Sequence, residues 1–386
     1  APKTFAALIR TIRSGTVCYE EKGVIIVAKR PVSIRDVARR AGVSISTVSR
    51  ALNNYDDISE DTYNRVIATA KELGYHPNRF ARGLVTQKTN IIGFVLADHL
   101  VNPVMDLCSL EFMQGILGKA KTMGYNVCLL SSNIDQPGDA TRSLLEECFI
   151  EGVIFQATQM SESVARKLWE WRIPFVTLGK FDLRESDQWY SVGSDDFGGG
   201  FQATIHLADL GHKRIGYIGE DHSFKVAGLQ ERFEGYRKAL ESRMLPYDES
   251  LVGYGDLTLE SGYQTAMNLL KVEDRPTAIF AASDQMAIGA VKAAFSMGID
   301  VPSQLAVVGF DDLETASFVH PALTTVRQHI RELGSIAAQM LIEALENRVP
   351  EAKHLSLPTH LVVRDSCGAA LLGKDNPSYA PFDSLP

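Results

Sequence analysis

The stretch GVSISTVSRALN, residues 42–53, has helical spacing and an outer face of hydroxyls, one arginine and one asparagine. If Val48, Ala51 and Leu52 turn inward, then Ile45, Ser46, Thr47, Ser49, Arg50 and Asn53 turn outward. Ser, Thr and Asn are mediocre helix formers, so propensity does not explain their presence. Short hydroxyls let a backbone approach a partner closely. They donate to phosphate oxygens and base edges alike, and a helix N-terminus adds a positive dipole. Arg50 can reach a phosphate or grip a guanine through two hydrogen bonds, and Ile45 can touch a thymine methyl. The expected chemistry is readout of a DNA groove. The competing reading is a solvated surface helix.

Bond-making chemistry is not visible elsewhere. The P-loop, the serine nucleophile elbow, the paired-histidine zinc motif and the calcium loop are absent, and the nine histidines show no ligand spacing. Gly198, Gly199 and Gly200 follow SDDF with no Lys-Ser/Thr after them, so they read as the start of a helix and not a phosphate cradle. The expectation is no enzyme, no metal and no cofactor.

The reading helix needs a frame. Ser33 reads as an N-cap, followed by an apolar stripe of Ile34, Val37, Ala38 and Ala41, with Gly42 as the stop. Ser44 caps the next helix. Ser59 caps a third, with Tyr63, Val66, Ile67, Ala70 and Leu73 inward and Gly74 closing it. Two helices joined at a glycine turn, with a third completing the core, predict a small all-α helix-turn-helix head over 31–76. Residues 77–89, including PNRFARGL, predict a short hinge, too short to be a stable helix alone.

From residue 90 the texture becomes βαβ. Apolar runs recur at 91–97, 126–130, 152–157, 174–179, 214–219, 277–282 and 305–310, with longer amphipathic stretches between them. This predicts an α/β body of two doubly wound parallel-sheet subdomains with a ligand cleft at the strand ends. The N-subdomain is expected at about 90–191 plus 324–350, and the C-subdomain at about 192–323 plus 351–366. Together they make an effector-binding and dimerisation domain over 90–368. Residues 1–30 show no period and read as an extension, disordered or artefactual. Residues 369–386 read as a loose tail.

Charge divides the same way. Residues 29–88 hold eleven basic and six acidic side chains, although the whole chain carries −8. A basic module on an acidic body suits phosphate at one end only. Five scattered cysteines without CxxC spacing fit a reducing cytoplasm. No apolar run reaches about 18 residues, and no signal peptide is read, so no membrane partner is expected.

The segments DVARRAGVSISTVSRALN and LGYHPNRFARGL together resemble the DNA-binding head of the lactose/galactose repressor (LacI/GalR) family. The resemblance continues through HLADLGHKRIGYIG, ERFEGYRKAL, AASDQMAIGAVKAA, VVGFDD and HPALTTVRQ, covering roughly residues 31 to 366. It implies a dimeric repressor-type regulator whose body resembles type I periplasmic sugar-binding proteins. Ser44, Thr47, Ser49 and Asn53 match positions that contact phosphate or lock the head on the groove. Ile45, Ser46 and Arg50 match positions that choose bases. Ser33, Asn78 and Ala81 are carried over as further DNA contacts. Leu84 matches the leucine that wedges into the minor groove when the hinge folds on DNA; packing against its own domain is the alternative. Gly83 departs from better helix formers and should raise the cost of folding the hinge.

In the cleft, Arg232 matches the family's ligand-gripping arginine, whose fork suits adjacent hydroxyls or a carboxylate. The alternative is a surface ion pair with a nearby Glu. Asp311 matches the acidic ligand residue, with Asp312 as a cap. Ser283 stands where many relatives have Asn and is expected to face ligand, leaving Asp284 as the structural cap. Asp98 is placed to accept sugar hydroxyls. Asn102 to Met105 and Leu257 fall where relatives carry aromatics; Val104 and Met105 cannot stack on a flat ring. Lys180 either approaches the cleft or is solvated.

These features predict a cytoplasmic homodimeric repressor on a pseudo-palindromic operator, answering to a small effector, with a sugar favoured. A purine, a phosphocarrier-protein corepressor, and a ligand-binding module without DNA function stay open as alternatives. The C-terminal tail lacks the leucine heptads of the family's tetramers.

Overall fold

The computed structural model describes residues 10–12, 16–21, 24–29, 32–53, 55, 57–75, 88–97, 107–132, 150–156, 162–179, 190–220, 227–350 and 352–372. It divides into two units, residues 1–89 and 90–386.

In the first unit, β1 (Arg10–Ile12), β2 (Thr16–Glu21) and β3 (Val24–Lys29) form an antiparallel sheet. A disordered or artefactual extension is the expectation for residues 1–30; within it, residues 10–12, 16–21 and 24–29 form these strands. TVCYEE and VIIVAK are rich in β-branched and aromatic residues, which suit a pleated surface without any clean alternation. They pair from Thr16 opposite Lys29 to Glu21 opposite Val24.

Three helices follow: α1 (Ile34–Ala41), α2 (Ile45–Leu52) and α3 (Glu60–Leu73). Each begins at the predicted serine. Ser33 and Asp36 form a capping box, in which the Ser33 N–H and Oγ donate to Asp36 Oδ2 at 3.0 and 2.6 Å. Gly42 and Gly74 close α1 and α3 at φ of 68° and 65°, a region that L side chains avoid. Val37, Ala38, Ala41, Val48, Ala51, Val66 and Ala70 form the buried core, with Ile34, Leu52, Tyr63 and Leu73 packed around it.

The second unit holds two six-stranded sheets. The first contains β4 (Ile91–Ala97), β5 (Asn126–Ser132), β6 (Gly152–Gln156), β7 (Phe175–Leu178), β8 (Tyr190–Ser194) and β14 (His354–Leu357), in the order β14-β8-β7-β6-β4-β5. The second contains β9 (Ile215–Glu220), β10 (Val252–Gly255), β11 (Ala278–Ala281), β12 (Ala306–Asp311), β13 (Thr324–Arg327) and β15 (His360–Val362), in the order β10-β9-β11-β12-β13-β15. All pairings are parallel except β13 with β15. The first lobe carries α4 (Leu107–Thr122), α5 (Glu162–Glu170) and α11 (Ile330–Leu345). The second carries α6 (Asp196–Asp209), α7 (Ala227–Ser242), α8 (Leu259–Leu269), α9 (Asp284–Ser296) and the short α10 (Glu314–Phe318). The first sheet is buried on both faces by separate apolar clusters, one around Ile92, Phe94, Ile154 and Leu341, the other around Val95, Val153, Phe155 and Leu168.

Strand membership moves the expected boundaries. All of β8 lies in the first sheet, so the chain first crosses after Ser194. β13 belongs to the second sheet, although 324–350 is expected in the N-subdomain, and β14 joins the first, although 351–366 is expected in the C-subdomain. Hydrophobic patterning locates a strand but not the sheet edge it extends, since that pairing joins residues over 150 apart, as in Leu355 against Val192.

Candidate functional site

On the head, α2 presents the expected face. Ile45 is 46% exposed, Ser46 and Arg50 are exposed, and Thr47, Ser49 and Asn53 are half-buried. Ser44 Oγ accepts the Thr47 N–H at 3.1 Å and lies 2.7 and 2.8 Å from the Ser46 and Thr47 hydroxyls. The Asn53 side-chain amide donates to the Ser49 carbonyl at 2.8 Å. A hydroxyl cluster at a capped N-terminus is a set of donors pointed at whatever anion approaches. Ser33 is engaged in its own capping box.

In the second unit, charged groups converge at the carboxyl ends of the second sheet, where ligands of open α/β sheets bind. Arg232 on α7 is 8% exposed. Its Nε donates to Asp196 Oδ1 at 2.8 Å and its Nη1 to the Ala282 carbonyl at 2.6 Å, with Asp311 Oδ1 3.7 Å from Nη1. Its guanidinium lies 3.7 Å over the Phe310 ring. This replaces the alternative of a surface pair with a nearby Glu. Among the described residues, Nη2 makes no hydrogen bond. The backbone approach that seats Arg232 depends on Gly200, where an added Cβ would collide with the Arg232 carbonyl. The three glycines 198–200 lie in the first turn of α6, as predicted, with Asp195 capping Gly198 N at 2.9 Å.

Asp311 ends β12 at φ of 125° and is buried. Its Oδ1 accepts Gln328 Nε2 at 2.6 Å, and the Cys108 thiol of α4 hydrogen-bonds it from the first lobe. Gln328 Oε1 in turn accepts the Ser194 hydroxyl at 2.9 Å, so Asp311 is tied to both lobes. Burial pushes the Asp311 carboxyl up to about 6, with Arg232 pulling the other way. Asp284 is raised well above the usual carboxylate range by burial and then by Asp311. Burial works against the charge of Arg232, yet Asp196 and Asp311 outweigh it and its pKa is raised.

Two expectations are corrected here. Ser283, not Asp284, caps α9: its Oγ accepts Met286 N at 3.3 Å. Asp284 reaches inward, accepting Leu313 N at 2.8 Å and the Thr325 hydroxyl. A serine in the extended conformation before a helix satisfies the N3 donor, and the next side chain then points into the lobe. Asp312 is not a cap either; its two oxygens accept Arg364 Nη2 and Arg327 Nε, both at 2.6 Å. Leu257, at φ of 67°, packs against the core of the second lobe just before the Thr258 cap of α8. Asp98, Asn102, Met105, Lys180, Asn78, Ala81 and Leu84 lie outside the described residues.

Asp196, Gln328, Ser194 and Cys108 escape the sequence reading. The pair of acids in SDDF is the one available signal: the first caps a helix and the second is left to face inward. Gln328 and Cys108 carry no local mark, because their role arises from lobes meeting. An open groove of about 990 Å³ also touches Asp311 and Gln328, running along Glu111, Lys119, Arg327 and Arg331. Arg232 and Ser283 do not line it, so the groove and the convergence of buried charge overlap only at Asp311 and Gln328. Among the described residues, no helix is long and apolar enough to cross a membrane, and no group of three or more potential ligands is arranged to hold a metal.

Comparison with known proteins agrees on both units. Residues 33–78 match the family described as bacterial regulatory proteins, lacI family, and residues 204–367 match a periplasmic binding protein-like domain. The HTH-type transcriptional regulator RegA of Clostridium acetobutylicum is 34% identical over 337 residues, covering 87% of this chain and 99% of RegA. Among solved structures, the transcriptional regulator CelR–cellobiose complex superposes with a TM-score of 0.67 at 33% identity, covering 87% of this chain and 100% of that one. The lac repressor dimer bound to operator and the anti-inducer ONPF gives a TM-score of 0.76 at 28% identity, covering 88% and 99%.

Proposed function

The chain belongs to the lacI family of bacterial regulatory proteins, and from that premise we propose how its residues divide the work of a DNA-binding transcriptional repressor. Ile45, Ser46 and Arg50 choose bases. Ser44, Thr47, Ser49 and Asn53 hold phosphates and lock α2 in the major groove. Arg232 and Asp311 orient a small effector, with Ser283 and Leu257 shaping the pocket. Two copies act on a pseudo-palindromic operator in the cytoplasm. Leu84 wedges into the minor groove between head and body. Effector binding changes how the two lobes meet and so biases the hinge.

The effector is a sugar or polyol. The observation that carries this is the Arg232–Asp311 cluster: it offers buried acceptors beside an Nη2 donor, and the guanidinium already covers the Phe310 ring. Hydroxyls suit such a site better than a flat purine does. The solved relative CelR is described with cellobiose.

A thermal-shift screen across sugars, polyols, sugar phosphates and purines tests it. A ligand at about 100 times its dissociation constant should add about 2.7 kcal/mol to the folded state. A sugar hit that also changes operator affinity in a gel shift supports the reading. A purine hit, or silence across the panel, overturns the choice of ligand class.

A further inference from the structure

Arg50 is held by its own head before any DNA arrives. Its Nε donates to Asp57 Oδ1 at 3.1 Å and its Nη2 donates to Asp57 Oδ2. The Tyr55 ring centre lies 5.4 Å from the guanidinium carbon. The Tyr55 N–H donates to the Arg50 carbonyl at 3.1 Å, anchoring that ring to the end of the same helix. Asp57 sits in the turn between α2 and α3, two residues before the Ser59 cap. Arg50 is thus gripped along one edge by an acid and approached by an aromatic ring.

The edge matters. A guanidinium has five N–H donors in a planar fork. Side-on pairing uses the Nε hydrogen and one Nη2 hydrogen. Three hydrogens are left over, and two of them, one on Nη1 and the outer one on Nη2, form the end-on fork. That fork can meet O6 and N7 of guanine bidentately while the other edge stays on Asp57.

Stability does not account for Asp57. Both side chains are about half exposed, at 50% and 52%, where ion pairs contribute little. Affinity does not account for it either, because an acid beside a phosphate backbone opposes binding. Orientation does account for it. An arginine must fix its side-chain torsions to present a fork, and a partner that fixes them beforehand removes that cost from recognition. We propose that Asp57, with Tyr55, is a specificity-determining positioning residue: it holds the Nε edge of Arg50 and presents the end-on fork to a guanine. This rests on the reading of Arg50 as a residue that chooses bases.

The test uses the full chain and a duplex selected by the wild type from a random library. Base preference at every operator position is measured for wild type, Arg50→Ala, Asp57→Ala and Asp57→Asn at one salt concentration. Affinity for random-sequence duplex is measured alongside, and thermal melting checks folding. Arg50→Ala is expected to erase a guanine preference at one position per half-site. Asp57→Ala should weaken that same preference about tenfold and leave the others intact, with random-sequence affinity unchanged or raised. Asp57→Asn, which keeps one acceptor, should fall between. Full preference retained in Asp57→Ala while Arg50→Ala loses it overturns the positioning role. A uniform loss at all positions also overturns it, since that marks a role in folding. Base preferences untouched in Arg50→Ala would instead remove the base-reading role of Arg50 itself, and Asp57 with it.

Discussion

Arg50 and Arg232 are each paired with aspartate and each lie near an aromatic ring, but they live in opposite settings. Arg50 is half exposed, and its partners Tyr55 and Asp57 are five and seven residues away. Arg232 is buried, and its partners Asp196 and Asp311 come from other elements, 36 and 79 residues away. The exposed arginine could lose its partner at little cost in stability, because water replaces what is lost. The buried one cannot, because its departure would strand two carboxylates out of water. The head therefore keeps its arginine pair at the surface, where it orients a side chain without adding much stability. The second lobe builds its arginine cluster into the core, so on the proposed reading a ligand there would be felt by the structure around it.

The largest test of this contrast is Arg232→Ala. It leaves Asp196 and Asp311 buried without their counter-charge, and stability should fall by about 3–5 kcal/mol. Arg50→Ala should stay within about 0.5 kcal/mol of wild type. Denaturant unfolding followed by circular dichroism compares them directly. Arg232→Met combined with Asp196→Asn should recover part of the loss while leaving the effector response absent. Equal stability of the two alanine variants would break the comparison.

A smaller effect should appear with pH. The Asp311 carboxyl is pushed up to about 6 by burial, against Arg232. A raised acid binds its proton more tightly in the folded state, so its contribution is fully present below the unfolded value near 3.8 and is lost as pH rises through about 6. The loss amounts to at most about 3 kcal/mol across that window. Melting temperature from pH 4 to 7 should therefore fall in wild type relative to Asp311→Asn. Effector affinity should move the other way, since the carboxylate is the better acceptor of hydroxyl protons. Parallel melting profiles for the two proteins would remove Asp311 as the titrating group.

The same contrast governs what was legible in the sequence. Ser33, Ser44 and Ser59 each begin a helix where predicted, and Gly42 and Gly74 each end one, because caps are local events. The seven apolar runs all became strands. Tyr190–Ser194, Val252–Gly255 and the three short strands after Leu323 were missed; they are brief and carry Ser, Gly, Thr or His among their apolar residues. In the second lobe, the segments ERFEGYRKAL and VVGFDD name Arg232 and Asp311, which the structure brings together. Asp196 and Gln328 were not, since they are defined by contacts across elements that no window of sequence contains. The cap that falls to Ser283 and not to Asp284 shows the limit of carrying positions over. The Ser283 hydroxyl accepts Met286 N, which leaves the Asp284 carboxylate to bond Leu313 N and Thr325.

Two serines allow the finest cut. Ser44 caps α2 on the head and Ser283 caps α9 at the cleft, at 3.1 and 3.3 Å from the N–H they accept. Losing either cap should cost about 1 kcal/mol, so Ser44→Ala and Ser283→Ala should melt alike. Function should separate them: Ser44→Ala weakens operator binding and leaves effector affinity unchanged, and Ser283→Ala does the reverse. Ser44→Asp sharpens this further. Aspartate caps at least as well as serine and suits the helix dipole, so stability should hold. Its charge would face phosphate, so DNA binding should fall below that of Ser44→Ala. If Ser44→Asp bound operator as tightly as wild type, Ser44 would be a cap alone, and the hydroxyl cluster it shares with Ser46 and Thr47 would not be facing the DNA backbone.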